Sequence, residues 1–142
     1  MPAGFRELSA GRGFVGRLET GSDLVGEIER FCLEQGVLAA QVTVIGAVRR
    51  AAYAYYEQHD HRYLELASET HHEIVGFTGN VSLRDDKPFL HAHATFADAS
   101  GATVGGHLLR GCEVFAAEVM IREMTGVSLV RTFDEETGLA LW

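Results

Sequence analysis

Three histidines have the spacing that could do chemistry: His91 and His93, separated by one alanine, and His107 further along the chain behind Gly105 and Gly106. A neutral imidazole offers a nitrogen lone pair, so three that converge can hold a divalent transition metal and leave a fourth position open. On a strand, residues two apart leave the same face with their roots ~7 Å apart, near enough to share one ion. Three nitrogens suit Zn2+ at ~2.0–2.1 Å. Nickel, cobalt and copper take the same donors, so site geometry and metal supply decide among them. The structural alternative is that the same side chains bond to backbone carbonyls or lie on a solvated face, because His-x-His is a short pattern with frequent chance matches. Glu118 is the candidate carboxylate to orient a ligand or act as general base, with an ion pair to an arginine as its ordinary alternative. His59, His61, His71 and His72 are read as loop or sheet-surface residues, since adjacent histidines on a strand point to opposite faces.

The elements that must position the trio can be read around it. Ser22 caps a helix whose apolar residues Leu24, Ile28, Phe31 and Cys32 recur at spacings of three and four, and Gly36 stops it. Phe14–Leu18, Val37–Ala47, Val48–Tyr56, Tyr63–Ala67 and Glu73–Val81 read as strands, the last with two glycines that suggest bulges. Phe89–Phe96 alternates: Phe89, His91, His93 and Thr95 share one face, while Leu90, Ala92, Ala94 and Phe96 share the other. Thr103–Leu109 follows a tight turn as a further strand, and the missing side chains of Gly105 and Gly106 leave open space beside His107 for a ligand or a partner backbone. Glu113–Met124 fits either period and is assigned to strand, and Val127–Phe133 is a final strand. Together these predict an α+β domain, a mainly antiparallel sheet of about seven strands with one principal helix packed on it. Residues 1–13 read as a flexible lead-in and 14–142 as the single domain.

Composition narrows the function. The chain has 142 residues, is 46% apolar and carries a net charge of −8, enough apolar material for one core. Lys87 is its only lysine, which disfavours DNA as a partner, because duplex binding draws on cations that neutralise phosphates. No apolar run approaches the ~20 residues of a membrane helix, and the first thirteen residues lack a secretory plan, so no membrane partner and a cytoplasmic protein are expected. Cys32 and Cys112 read as buried free thiols. Gly11, Gly13 and Gly16 lack the full phosphate-loop pattern, and Ser82 and Ser100 lack a hydrolase elbow.

The run Arg17-Leu-Glu-Thr-Gly-Ser-Asp23, the strand around Val44–Ala47, His91-Ala-His93 through Gly105-Gly-His107, and Arg131 with Asp134 and Thr137-Gly138 resemble the PPC domain, conserved in plants and prokaryotes. The resemblance implies a mixed α/β domain that forms homotrimers, with prokaryotic relatives labelled DNA-binding and some holding metal at this histidine cluster. The plant form follows AT-hook segments, and this chain has no hook. At the plant partner-contact stretch it reads Thr70-His71-His72-Glu73-Ile74-Val75, with His71 in place of the arginine. The expected function is thus a metal-binding homotrimer with a regulatory or DNA-associated role. The alternatives are a zinc-dependent hydrolase or lyase using water on the three histidines, and a small-molecule binder at clefts between subunits, to which Tyr53, Tyr55 and Tyr56 could contribute.

Overall fold

The computed structural model describes residues 4–142. Its elements are β1 (Ser9–Leu18), α1 (Leu24–Gln35), β2 (Ala40–Glu57), β3 (Arg62–Ser68), β4 (His72–Arg84), β5 (Lys87–Ala97), β6 (Thr103–Leu108), β7 (Glu113–Thr125), β8 (Thr132–Asp134) and β9 (Leu139–Leu141). The first seven strands form one sheet in the order β1-β7-β2-β4-β5-β6, with β3 added to β2, and every ladder is antiparallel. This is the expected α+β plan of one helix on a large antiparallel sheet. β8 and β9 form a separate hairpin. Among the described residues no helix is long and apolar enough to cross a membrane.

The strand β2 organises the molecule. Val37–Ala47 and Val48–Tyr56, read as two stretches, run into a single strand of 18 residues. Its first part pairs with β4 and β7, and its last part with β3 and β6. Because β6 also pairs with β5, the strands β2, β4, β5 and β6 close on themselves. That closure brings β5 and β6 together under β3, where the histidines lie.

The core follows from alternation. Val42, Val44 and Val48 on β2, Leu90, Ala92, Ala94 and Phe96 on β5, and Val114, Ala117, Val119 and Ile121 on β7 are buried. Helix α1 adds Leu24, Val25, Ile28 and Cys32. Burying each of the Val, Leu, Ile and Phe side chains among them stabilises the fold by roughly 1.5–3 kcal/mol before entropy is counted. The helix is capped by Asp23 rather than Ser22: its carboxylate accepts from Gly26 N at 2.8 Å and also from Gly111 N at 2.6 Å, tying the helix start to the β6–β7 turn. Ser22 Oγ instead donates to Glu19 O. At the other end Gly36 takes the left-handed conformation, φ 66°, and its N–H closes the last turn.

Two further readings are corrected by pairing. The lead-in read as flexible over 1–13 is strand from Ser9, which pairs with Thr125, and its residues 1–3 lie outside the described residues. The strand read over Val127–Phe133 is mostly extended coil with only Thr132–Asp134 in the small hairpin. That coil is held to the end of β4 by Leu83 N–H to Leu129 O and Arg131 N–H to Leu83 O, both 2.8 Å. Too few residues there have a partner strand to extend the ladder.

Candidate metal centre

His93 on β5 and His107 on β6 are direct cross-strand partners, and His91 lies two residues before His93 on the same face. The ring centroids are 5.2 Å apart for His91 and His93, 5.1 Å for His91 and His107, and 5.8 Å for His93 and His107. One nitrogen of each lies within 4.8 Å of one nitrogen of the others. A tetrahedral ion with bonds of ~2.0–2.1 Å would hold them roughly 3.4 Å apart, inside that bound. Nδ1 of His107 is buried with no hydrogen-bond partner. A buried polar atom left in that state costs about 1–3 kcal/mol unless something satisfies it.

The two glycines before His107 do not leave open space. A Cβ on Gly105 would stand 2.2 Å from Ala94 O, and one on Gly106 2.5 Å from Ala54 O. Both positions are glycine because the backbones of β5 and β2 press against β6 from either side, and this fixes where His107 sits. On its other side His107 stacks against Tyr63 of β3, centroids 4.6 Å apart.

Burial pushes His91 down to about 4, helped by the positive charge of Arg131 and by His93. Burial pushes His107 down to about 4 as well, with His91, His93 and Arg131 adding to it. Both imidazoles are therefore neutral at pH 7, the state in which they can ligate.

Glu118 does not join them. It sits on β7 opposite Arg17 and Ile45, exposed. Along β2, Glu118 stands opposite Ile45 and His107 opposite Ala54, nine residues or about 30 Å further on, so within this chain Glu118 cannot serve the trio. Nor is His72 a surface residue: it is 6% exposed, its Nδ1–H donates to Thr70 O across 2.8 Å, and it meets the Phe96 ring edge-on. His61 stacks on Tyr56 in the loop region. Two neighbours of the trio escaped the sequence reading. Tyr63 was placed only on a strand, since its contact depends on how β3 registers against β2. Arg131 carries no site role in the sequence reading, because its approach to the site depends on a coil that has no periodic signal.

Residues 5–125 match the model of the Plants and Prokaryotes Conserved (PCC) domain. The chain belongs to this family. Among solved structures it is similar to the metal-containing protein AF0104 from Archaeoglobus fulgidus, 43% identical, with a TM-score of 0.94 and 99% of each chain covered. It is also similar to a plant- and prokaryote-conserved protein from Pyrococcus horikoshii, 32% identical, TM-score 0.93, covering 99% of this chain and 96% of the other. A curated relative is the bifunctional protein GlmU of Synechococcus sp. (strain JA-3-3Ab), 33% identical over 124 residues and 86% of this chain. The chain spans 19% of that relative's length. The PCC assignment covers β1 through β7 and hence all three histidines, and it stops short of the segment that carries Arg131 and the β8–β9 hairpin.

Proposed function

We propose that this PCC-domain chain is a metal-binding protein that holds one divalent transition ion, zinc in the first place, on His91, His93 and His107, and that it works as a homotrimer. The observation that carries the metal reading is the convergence of three imidazoles on which His107 Nδ1 is buried and unpartnered. The likeness to an archaeal protein described as metal-containing supports it. When bound, such an ion supplies Lewis acidity at a position open to a further ligand. The chain's own contribution is to keep two ligands neutral by burial, to fix His107 between two backbones, and to shield it with Tyr63. The homotrimer draws support from the family resemblance and from the apolar residues exposed on the outer sheet face.

A hydrolase or lyase would need a base near the ion. No carboxylate joins the cluster among the described residues, so ligand binding is favoured over catalysis. The regulatory role through DNA rests on family resemblance and is opposed by the net charge of −8. Protein purified without a nickel column should carry about one ion per histidine trio by elemental analysis, and His93→Ala should lose it. Metal-free wild type that takes up no zinc on reconstitution would overturn the site. A gel shift at low salt tests the DNA role, and its absence removes that role for the isolated chain.

A further inference from the structure

Beside the imidazoles lies a cavity of about 150 Å³, walled by Tyr63, Arg84, Phe89 and Arg131 together with Leu139 and Leu141 of the terminal hairpin. Arg131 is only 9% exposed. Its Nε donates to Ser82 Oγ at 2.7 Å, Nη1 to Ala140 O at 3.0 Å and Nη2 to Asn80 Oδ1 at 3.1 Å, all neutral acceptors. A guanidinium carries five N–H donors, so one on each terminal nitrogen is left over. Among the described residues neither Arg131 nor Arg84 has a carboxylate partner. Both instead lie against the same ring, 5.4 and 5.2 Å from the Phe89 centroid. A buried cation without an anion is costly, and here it stands in a chain whose overall charge is −8.

We propose that this cavity binds a small organic carboxylate, whose two oxygens take the two spare N–H groups of Arg131 while its short chain lies against Phe89, Leu139 and Leu141. Paired oxygens match the fork of a guanidinium, and the apolar wall favours an organic acid over inorganic phosphate. The volume equals that of an engineered cavity which holds benzene, so about six non-hydrogen atoms fit. The carboxylate lies next to His91 and His107, where it would also meet a bound ion; that part rests on the metal reading, whereas the Arg131 contact does not.

The test uses butanoate as probe, titrated by calorimetry into zinc-reconstituted and chelator-stripped protein, with the metal content of each sample measured alongside. Saturable one-to-one binding is expected in both, about tenfold tighter with zinc. Arg131→Gln should weaken it at least about tenfold. Leu139→Trp fills the cavity without removing a partner of Arg131 and should weaken it similarly, which keeps the test open if Arg131→Gln does not fold. Absence of saturation at about 10 mM butanoate in wild type would overturn the proposal, as would unchanged binding in Leu139→Trp, or inorganic phosphate binding as tightly as butanoate. Butanoate bound through Arg131 by protein that takes no zinc would uphold the anion site and remove the metal reading; zinc without butanoate would do the reverse.

Discussion

At the scale of the residue, the trio combines what an ion needs with what a folded chain resists. Three imidazoles packed without acids have no counter-charge, and burial holds His91 and His107 down at about 4. The sign of the stability effect follows. Above the ordinary histidine value of 6.5 both states of the chain carry these rings neutral. As pH falls from there toward about 4, the unfolded chain takes up protons that the folded one refuses, so stability of the metal-free protein declines across that window. Thermal unfolding of the chelator-stripped chain should show a midpoint that drops between those pH values. A flat response shared with His91→Gln/His107→Gln would show that the rings are not shielded. Cys32 and Cys112 offer a parallel reading: burial raises both thiols to about 11, so at pH 8 they should resist alkylation until the chain unfolds. Their state and the shared face of His91 and His93 were legible in the sequence, because a two-residue period and the absence of a second cysteine pair need no tertiary information. The burial of His72 was not, since it depends on Phe96 arriving from another strand.

At the scale of the element, β6 is tightly constrained, with backbone pressed close at two of its glycines. It has 6 residues, yet it places His107 and closes β5 onto β2. Gly105→Ala isolates this constraint, because its Cβ would lie 2.2 Å from a backbone oxygen of β5, which cannot turn aside as a side chain can. The substitution should destabilise the protein by about 1–3 kcal/mol, the usual cost of overpacking, and should lower zinc stoichiometry by moving His107 away from His93. A variant that unfolds at the wild-type temperature and still takes a full complement of zinc would show that β6 has more freedom than its contacts imply. The helix and most strands could be read from period and turn residues. Two things could not: the union of two stretches into β2, whose partners change after Arg50 from β4 and β7 to β3 and β6, and the closure by β6, where the two glycines looked like vacancy and are in fact points of contact. A missing side chain signals close approach as readily as space, and only the neighbouring strand decides which.

At the scale of the whole molecule, the inner face of the sheet is covered by α1, and the outer face is covered over β4 and β5 by the terminal coil and hairpin but, among the described residues, has no covering element over β1, β7 and the first part of β2. Val15 and Met120 are cross-strand partners there, Met120 also pairs with Thr43, and Ile45 follows two residues along β2. Their exposures are 78%, 62% and 64% for Val15, Met120 and Ile45. Large apolar side chains grouped on a flat sheet are a common mark of an interface, and between copies of this chain they would lie close to Glu118 and Arg122, which flank Met120 on the same face and can form ion pairs at the rim. If the proposed homotrimer uses this face, Met120→Glu places a charge where partners must meet, and the cost of burying it without a counter-charge exceeds what a modest interface can offset. The variant should run as a monomer by light scattering under conditions where wild type runs as a trimer, while keeping its zinc, because Met120 lies on β7, away from the histidines. Trimers that survive Met120→Glu would move the interface to another surface, and a wild-type monomer would dismiss the assembly altogether. Loss of zinc together with loss of the trimer would instead mean that neighbouring copies help to hold the ion.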